Sequence, residues 1–281
     1  YFQRKKCFCV AEIHGGSCSC LASPTLFSFL INELAMFIIS KGIHGIQLSE
    51  DAIELFLLMF ADDFSLLSYS PIGLQNQLNN LYKISGKFGL TVNLDKTKII
   101  VFRNGGHLSK YEHWHFGQHK IEVVNSYKYL GLDFSTRLSL NISTENLVAK
   151  AKKCVIEISR MLWRLGCSSS KIFFKLFDAR VVPMLLYASE IWGALEFNQI
   201  EKVHLFACKR LLNVSLHTPN YMIYGELNRY PLLVLSAVRC IAYWLRLCTL
   251  PGSRYASKAY HMLKSLDERG KITWVTHVKN L

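Results

Sequence analysis

The stretch Leu57 to Ser68, LLMFADDFSLLS, sets two adjacent carboxylates, Asp62 and Asp63, between two runs of apolar side chains. Burying an ionised carboxylate without a partner costs several kcal/mol or more. An apolar run, a short polar break and a second apolar run read as a hairpin, with Ala61-Asp62-Asp63 near its tip. The first run, IELFLLMF, reads as a buried strand. A single kinked helix is the competing reading. Two acids at such a tip make physical sense if a divalent cation neutralises them, because hard cations take oxygen ligands. From the dipeptide alone, a polar turn facing water is the commoner outcome.

The pattern on either side fills in a mixed α+β first half. TLFSFLINELAMFI spaces Leu26, Phe29, Leu30 and Leu34 as a helix, and the Gly-containing KGIHGIQLSE reads as a link. SPIGLQNQLNNLYKISGKFG is a punctuated helix. Ser70 is its candidate N-cap, Pro71 sits in the first turn, and Gly89 supplies a left-handed stop. LTVNLDKTKIIVF alternates as a strand, with Leu90, Val92 and Leu94 on one face. HWHFGQHKIEVV reads as an exposed hairpin turning at Gly117-Gln118, and YKYLGLDF as one further short strand. After Asn141 the pattern turns helical. Leu147, Ala151, Val155, Ile158 and Leu162 form one stripe, SSSKIFFKLFDARVVPMLLYASEIWGAL bends at Pro183, and QIEKVHLFACKRLLNV is a third helix. The expected divisions are 1–140, 141–215 and 216–281.

Charge follows the same divide. Residues 1–140 hold 13 Lys+Arg against 11 Asp+Glu, and residues 141–281 hold 20 against 9. A basic second half suits a polyanion partner. Half the chain is hydrophobic, which excludes disorder by composition. Nine cysteines are scattered through it, an odd number that points to free thiols in an intracellular, reducing setting, cytoplasm or nucleus. Leu21 to Ser40 is apolar, but Pro24, Asn32 and Glu33 interrupt it, so no membrane span is expected. Cys7, Cys9, His14, Cys18 and Cys20 lack the Cys-x-x-Cys spacing of common zinc modules. His113, His115 and His119 read as surface histidines.

FADD, Phe60 to Asp63, resembles the aromatic-Ala-Asp-Asp box of reverse transcriptases, and other boxes stand in that family's order. LASPTLFSFLINEL lies upstream, with Cys20, Ser23, Pro24, Leu26 and Phe27 matching. GLTVNLDKTKIIVF lies downstream, followed by SYKYLGL and LLYASEIWG. The branch it resembles is the LINE-type, non-LTR retroelement polymerase, over about Gly15 to Gly193.

The resemblance implies a partial polymerase palm, an antiparallel sheet with packed helices. An all-helical thumb and a C-terminal extension would follow it. It implies that Asp62 binds metal with Asp63 as partner, in a two-ion Mg²⁺ site. Lys96 would stand near the incoming nucleotide's phosphates, although an ordinary strand-edge lysine reads almost as well. Tyr129, Leu130 and Gly131 would form the turn that steadies the primer end, or simply a hairpin corner. Ser23, Pro24 and Phe60 would shape the nucleotide pocket. Lys150, Lys152 and Lys153 would grip phosphates without reading bases. The implied partners are an RNA template, a DNA primer and deoxynucleotides.

The chain also departs from the family. Ser17 and Cys18 stand where the family has Arg and Gln. The family's other essential aspartate sits on an upstream strand, whereas here the sole acid before Gly15 is Glu12, with no readable strand around it. The chain is therefore expected to be N-terminally truncated. It should bind primer–template weakly without extending it unless Glu12 or a second chain completes the site. The rival reading is a non-catalytic nucleic-acid-binding or structural remnant.

Overall fold

The computed structural model describes residues 6–14, 29, 32, 33, 36, 37, 45–47, 54–194 and 198–281, with the side chains of 6–8 and 11–14 outside that description. The chain divides into two compact units, Tyr1–Ser139 and Leu140–Leu281. The first is mixed α and β and the second helical, so the fold class is α+β. Phe29, Asn32, Glu33, Met36 and Phe37 are helical, and most of the helix expected over Leu26 to Leu34 lies outside the described residues.

In the first unit, β1 (Lys6–His14), β4 (Leu57–Phe60), β5 (Asp63–Ser68), β6 (Thr91–Phe102), β7 (Trp114–Phe116) and β8 (His119–Val123) make one sheet in the order β4-β5-β1-β6-β8-β7. Two short strands, β2 (Ile46–Gln47) and β3 (Glu54–Leu55), pair with each other, so the expected link contains a strand. Helix α1 (Pro71–Phe88) covers one face. The Ser70 side chain accepts from Gly73 N, Pro71 opens the helix, and Gly89 closes it at φ +65°, where a residue lacking Cβ pays least. Leu74, Leu78, Leu81 and Ile84 of α1 pack on Phe64, Leu66, Ile99 and Val101. The alternate residues Val10 and Leu67 form a second, smaller cluster with Tyr127 and Tyr129 on the opposite face.

Three expectations are corrected here. The run Leu57 to Phe60 is not buried, because β4 is an edge strand of the described sheet and Leu58, Met59 and Phe60 are exposed. The sheet is not wholly antiparallel, since β6 and β8 pair in parallel through Lys98 with Glu122 and Ile99 with Val123. The hairpin of Trp114 and Ile121 is exposed on one side alone. Trp114 is fully buried with its Nε1 donating to Pro71 O at 2.9 Å, while His113, His115 and His119 face solvent.

The second unit begins with α2 (Asn141–Arg164), whose predicted stripe is buried throughout. Next come α3 (Ser170–Leu176), a π-helical turn (Phe177–Val181), α4 (Val182–Leu185) and α5 (Ser189–Trp192). Pro183 has no N–H to offer the preceding turn. The backbone widens to π geometry just before it, which is the expected bend. The remaining helices are α6 (Asn198–Leu212), α7 (Asn220–Leu227), α8 (Leu232–Thr249), α9 (Tyr255–Glu268) and α10 (Trp274–Lys279). Among the described residues, α8 alone is long and apolar enough to cross a membrane by length and composition. It is fastened to neighbouring helices, with Arg239 donating to Leu186 O at 2.7 Å and the Cys240 thiol donating to Ser189 O at 3.1 Å.

A polar network ties this unit across residue 215. Glu201 Oε1 accepts from Tyr224 OH at 2.5 Å and lies 2.9 Å from His204 Nδ1, while Oε2 accepts from Leu232 N at 2.7 Å. Burial pushes the Glu201 carboxyl up, but the hydrogen bonds from His204 and Tyr224 and the histidine's charge outweigh it. The net position is below the ordinary glutamate value. A carboxyl depressed in the folded state contributes stability that is fully present above its unfolded pKa, about 4.3, and is lost as pH falls through the folded value. The urea midpoint should therefore drop between pH 6 and pH 3, and the drop should be shallower in Glu201→Gln. Equal acid slopes for the two proteins would contradict this assignment.

Candidate active site

The two apolar strands of the β4–β5 hairpin bring Phe60 opposite Asp63 and leave Ala61 and Asp62 as a two-residue turn, as the sequence predicts. Ala61 takes φ +53°. The left-handed region costs a residue with a Cβ about 1–2 kcal/mol, so the turn is held by the pairing on either side of it. Asp62 and Asp63 are half-buried, and Phe60 is 62% exposed. Both acids thus stand at one end of the sheet, half open to solvent.

That end of the sheet carries more than the hairpin. Strand β1 lies between β5 and β6, pairing Glu12 with Asp63 on one side and with Asn93 on the other. Phe60, Asp63, Glu12 and Asn93 form one row across four strands. The expectation that nothing around Glu12 forms a strand is corrected, since Lys6–His14 is the central strand of the described sheet. The sequence KCFCVAEIH hid this. Its two cysteines and the Glu blur the alternation that marks a half-buried strand.

Beside this row, β6 is irregular. Val10 pairs with Lys98 and Glu12 with Asn93, so residues 94–97 are pinched out of the ladder. Asn93 makes the pinch, because its Oδ1 accepts from Asp95 N at 3.1 Å and Lys96 N at 3.3 Å, and its carbonyl accepts from Thr97 Oγ1 at 2.7 Å. Lys96 is therefore an exposed bulge residue next to the acidic row, not a regular strand-edge lysine.

The segment expected as one strand is a hairpin, β9 (Ser126–Tyr129) and β10 (Leu132–Ser135). Leu130 and Gly131 form its two-residue turn at φ +46° and +85°. A turn with both central residues left-handed matches the twist of the strands it joins. Tyr127 OH donates to Lys96 O at 3.0 Å, so this hairpin is pinned to the bulge. Within the first unit the structure thus places Phe60, Asp63, Glu12 and Asn93 in one row, Asp62 in the adjoining turn and Lys96 in the bulge after Asn93, and the hairpin that carries the Tyr129-Leu130-Gly131 turn is pinned to that bulge through Tyr127. Sequence reasoning met Asn93 only as part of the GLTVNLDKTKIIVF box and gave it no role, although an Asn two residues before an Asp in an apolar strand is a signal for a local side-chain turn. Ser23 and Pro24 lie outside the described residues. Lys150, Lys152 and Lys153 belong to the second unit, on the exposed side of α2.

Of the cysteine cluster, Cys9 alone has a described side chain. Cys9 packs in the sheet core, where burial pushes its thiol up to about 12. Cys18 and Cys20 are outside the described residues, as are the side chains of Cys7 and His14.

Residues 18–134 match the family model described as reverse transcriptase (RNA-dependent DNA polymerase). Asp62, Asp63, Lys96 and Tyr129 all lie in that segment, which is less than half of the chain. Over it the chain is similar to reverse transcriptases. The chain is also similar to an uncharacterised transposon-derived protein of Caenorhabditis elegans, 26% identical over 187 residues, covering 65% of this chain. The chain spans 64% of the length of that relative.

Proposed function

We propose that the first unit is the palm of an RNA-directed DNA polymerase of a LINE-type retroelement, and that the helical second unit grips its nucleic acid. The observation that carries this reading is the acidic turn at the end of a sheet, inside a segment similar to reverse transcriptases, with Asn93 and the preceding Glu12, which lies before that segment, in register beside it and the Lys96 bulge following Asn93. The side chains of Asp62 and Asp63 are hard oxygen donors on a half-exposed turn, which fits Mg²⁺. Mg²⁺ held there would supply electrostatic stabilisation of a reacting phosphate. Lys96 neutralises the leaving pyrophosphate, and the Leu130-Gly131 turn positions the primer end. RNA template, DNA primer and deoxynucleotides are the ligands of this reading.

The expectation of an idle chain rested on the family's first palm aspartate having no counterpart, with no strand read around Glu12. Strand β1 puts Glu12 in register with Asp63, and on that support we assign Glu12 as the third carboxylate. Primer extension on an RNA template with Mg²⁺ tests the proposal. Absence of extension by a chain that still binds primer–template favours the non-catalytic remnant, for which Ser17 and Cys18 are the motive.

Binding is tested separately. Affinity for a duplex should fall steeply with salt and vary little with sequence. Replacing Lys150, Lys152 and Lys153 with Gln should lower the slope of log affinity against log salt by about 0.9 for each lysine in phosphate contact. An unchanged slope would show that this part of α2 does not touch the nucleic acid.

A further inference from the structure

A cavity of about 570 Å³ opens in the second unit between the C-terminal ends of α2 and α6 and the start of α3. Its size is within the range of about 300–1,000 Å³ usual for ligand pockets. Phe173, buried, and Leu162 form its apolar floor. Arg160 and Arg210 stand on its rim, both exposed. Among the described residues, neither guanidinium has a hydrogen-bond or carboxylate partner. Trp163 lines the same cavity and is 82% exposed, whereas Trp114 and Trp192 are buried.

A large aromatic ring left in water at the mouth of a pocket loses the burial that normally makes tryptophan favourable. The two arginines next to it add positive charge, and among the described residues neither guanidinium is in an ion pair with a carboxylate. Together they offer a π-face and two anion sites, the pair of features by which proteins hold unpaired nucleotides. The exposed side of α2 leads to the spot. Lys153, Arg160 and Arg164 recur at seven- and four-residue steps and so share one face. A duplex has no free base for Trp163 to stack on, so the fitting ligand is a single strand.

We infer that the Trp163–Arg160–Arg210 pocket is a binding site for single-stranded nucleic acid, with Trp163 stacking on a base and the arginines holding its flanking phosphates. The inference rests on the nucleic-acid-binding reading given above and adds a strand-selective subsite to it.

The test uses the 281-residue chain and its Trp163→Ala, Trp163→Phe and Arg160→Gln/Arg210→Gln variants. Anisotropy of a labelled single-stranded 12-mer and of a blunt duplex of equal length gives both affinities across a salt series. Trp163→Ala should weaken single-strand binding about tenfold, the effect of losing one stacked base, and leave duplex binding within about twofold. Trp163→Phe should restore most of the loss. The double arginine variant should lower the single-strand salt slope by about 1.4, two contacts at about 0.7 each. Every substituted side chain is exposed, and circular dichroism confirms that each variant folds. If Trp163→Ala binds the single strand as tightly as the parent, the pocket assignment is overturned while duplex binding keeps the broader reading intact. If the parent binds neither ligand, both are overturned.

Discussion

Asp62→Asn is expected to lower primer extension on an RNA template by about three orders of magnitude or more, with affinity for primer–template changed less than about twofold. The substitution keeps the shape of the turn and removes its charge. A charge that acts on the reacting phosphates, and not on the bound duplex, shows in rate and hardly in binding. Asp63→Asn and Glu12→Gln should each be slowed as well. Glu12→Asp should retain more activity than Glu12→Gln, since it keeps a carboxylate at the register position opposite Asp63. Equal extension by the parent and Asp62→Asn would end the catalytic assignment of the turn. Equal extension by the parent and Glu12→Gln would confine the site to the hairpin.

Phe177→Ala should cost about 3–5 kcal/mol of stability, read as a fall in the urea midpoint of the second unit. Phe177 is fully buried in the π turn and stacks on Phe173 and His204 at centroid distances of 6.4 and 5.6 Å. Arg229 lies 4.5 Å from the Phe174 ring centre and 5.8 Å from that of Phe177, and forks onto Asp178 at 2.6 and 2.8 Å. Removing the ring empties the space under a guanidinium held on three sides, so the site cannot collapse to fill it. A loss below about 1 kcal/mol would mean that the helix slides to close the gap.

What the sequence made legible was local. The Ser70 cap, the Gly89 stop and the apolar stripe of α1 are each fixed by residues within a few positions, and the same holds for the stripe of α2. The turn at Ala61-Asp62 was legible for the same reason. What it hid was set by distant pairing. Leu58 and Met59 look like core residues, yet they are exposed on β4, which stands at the edge of the described sheet, a matter of strand order and not of composition. Glu12 carried no local sign of its place, because its partners are Asp63 and Asn93 on strands far along the chain. The Lys96 bulge depends on one Asn side chain that competes with the ladder, which no hydrophobic pattern reveals.

The position of β1 also dictates an order of assembly. The β4–β5 hairpin and α1 can form from neighbouring segments within microseconds. The slot between β5 and β6 is filled by β1, which precedes both in the chain and must wait until Phe102 has been synthesised to find its partner at Lys6. Pairings so remote in sequence slow folding through the entropy of closing long loops, and they leave two unsatisfied strand edges facing each other meanwhile. During that interval the half-made sheet is a receptor for any extended segment of similar pattern, including the first strand of another copy. Exchange of Lys6–His14 between copies is thus the misassembly this topology favours, and dilution during refolding is the condition that works against it.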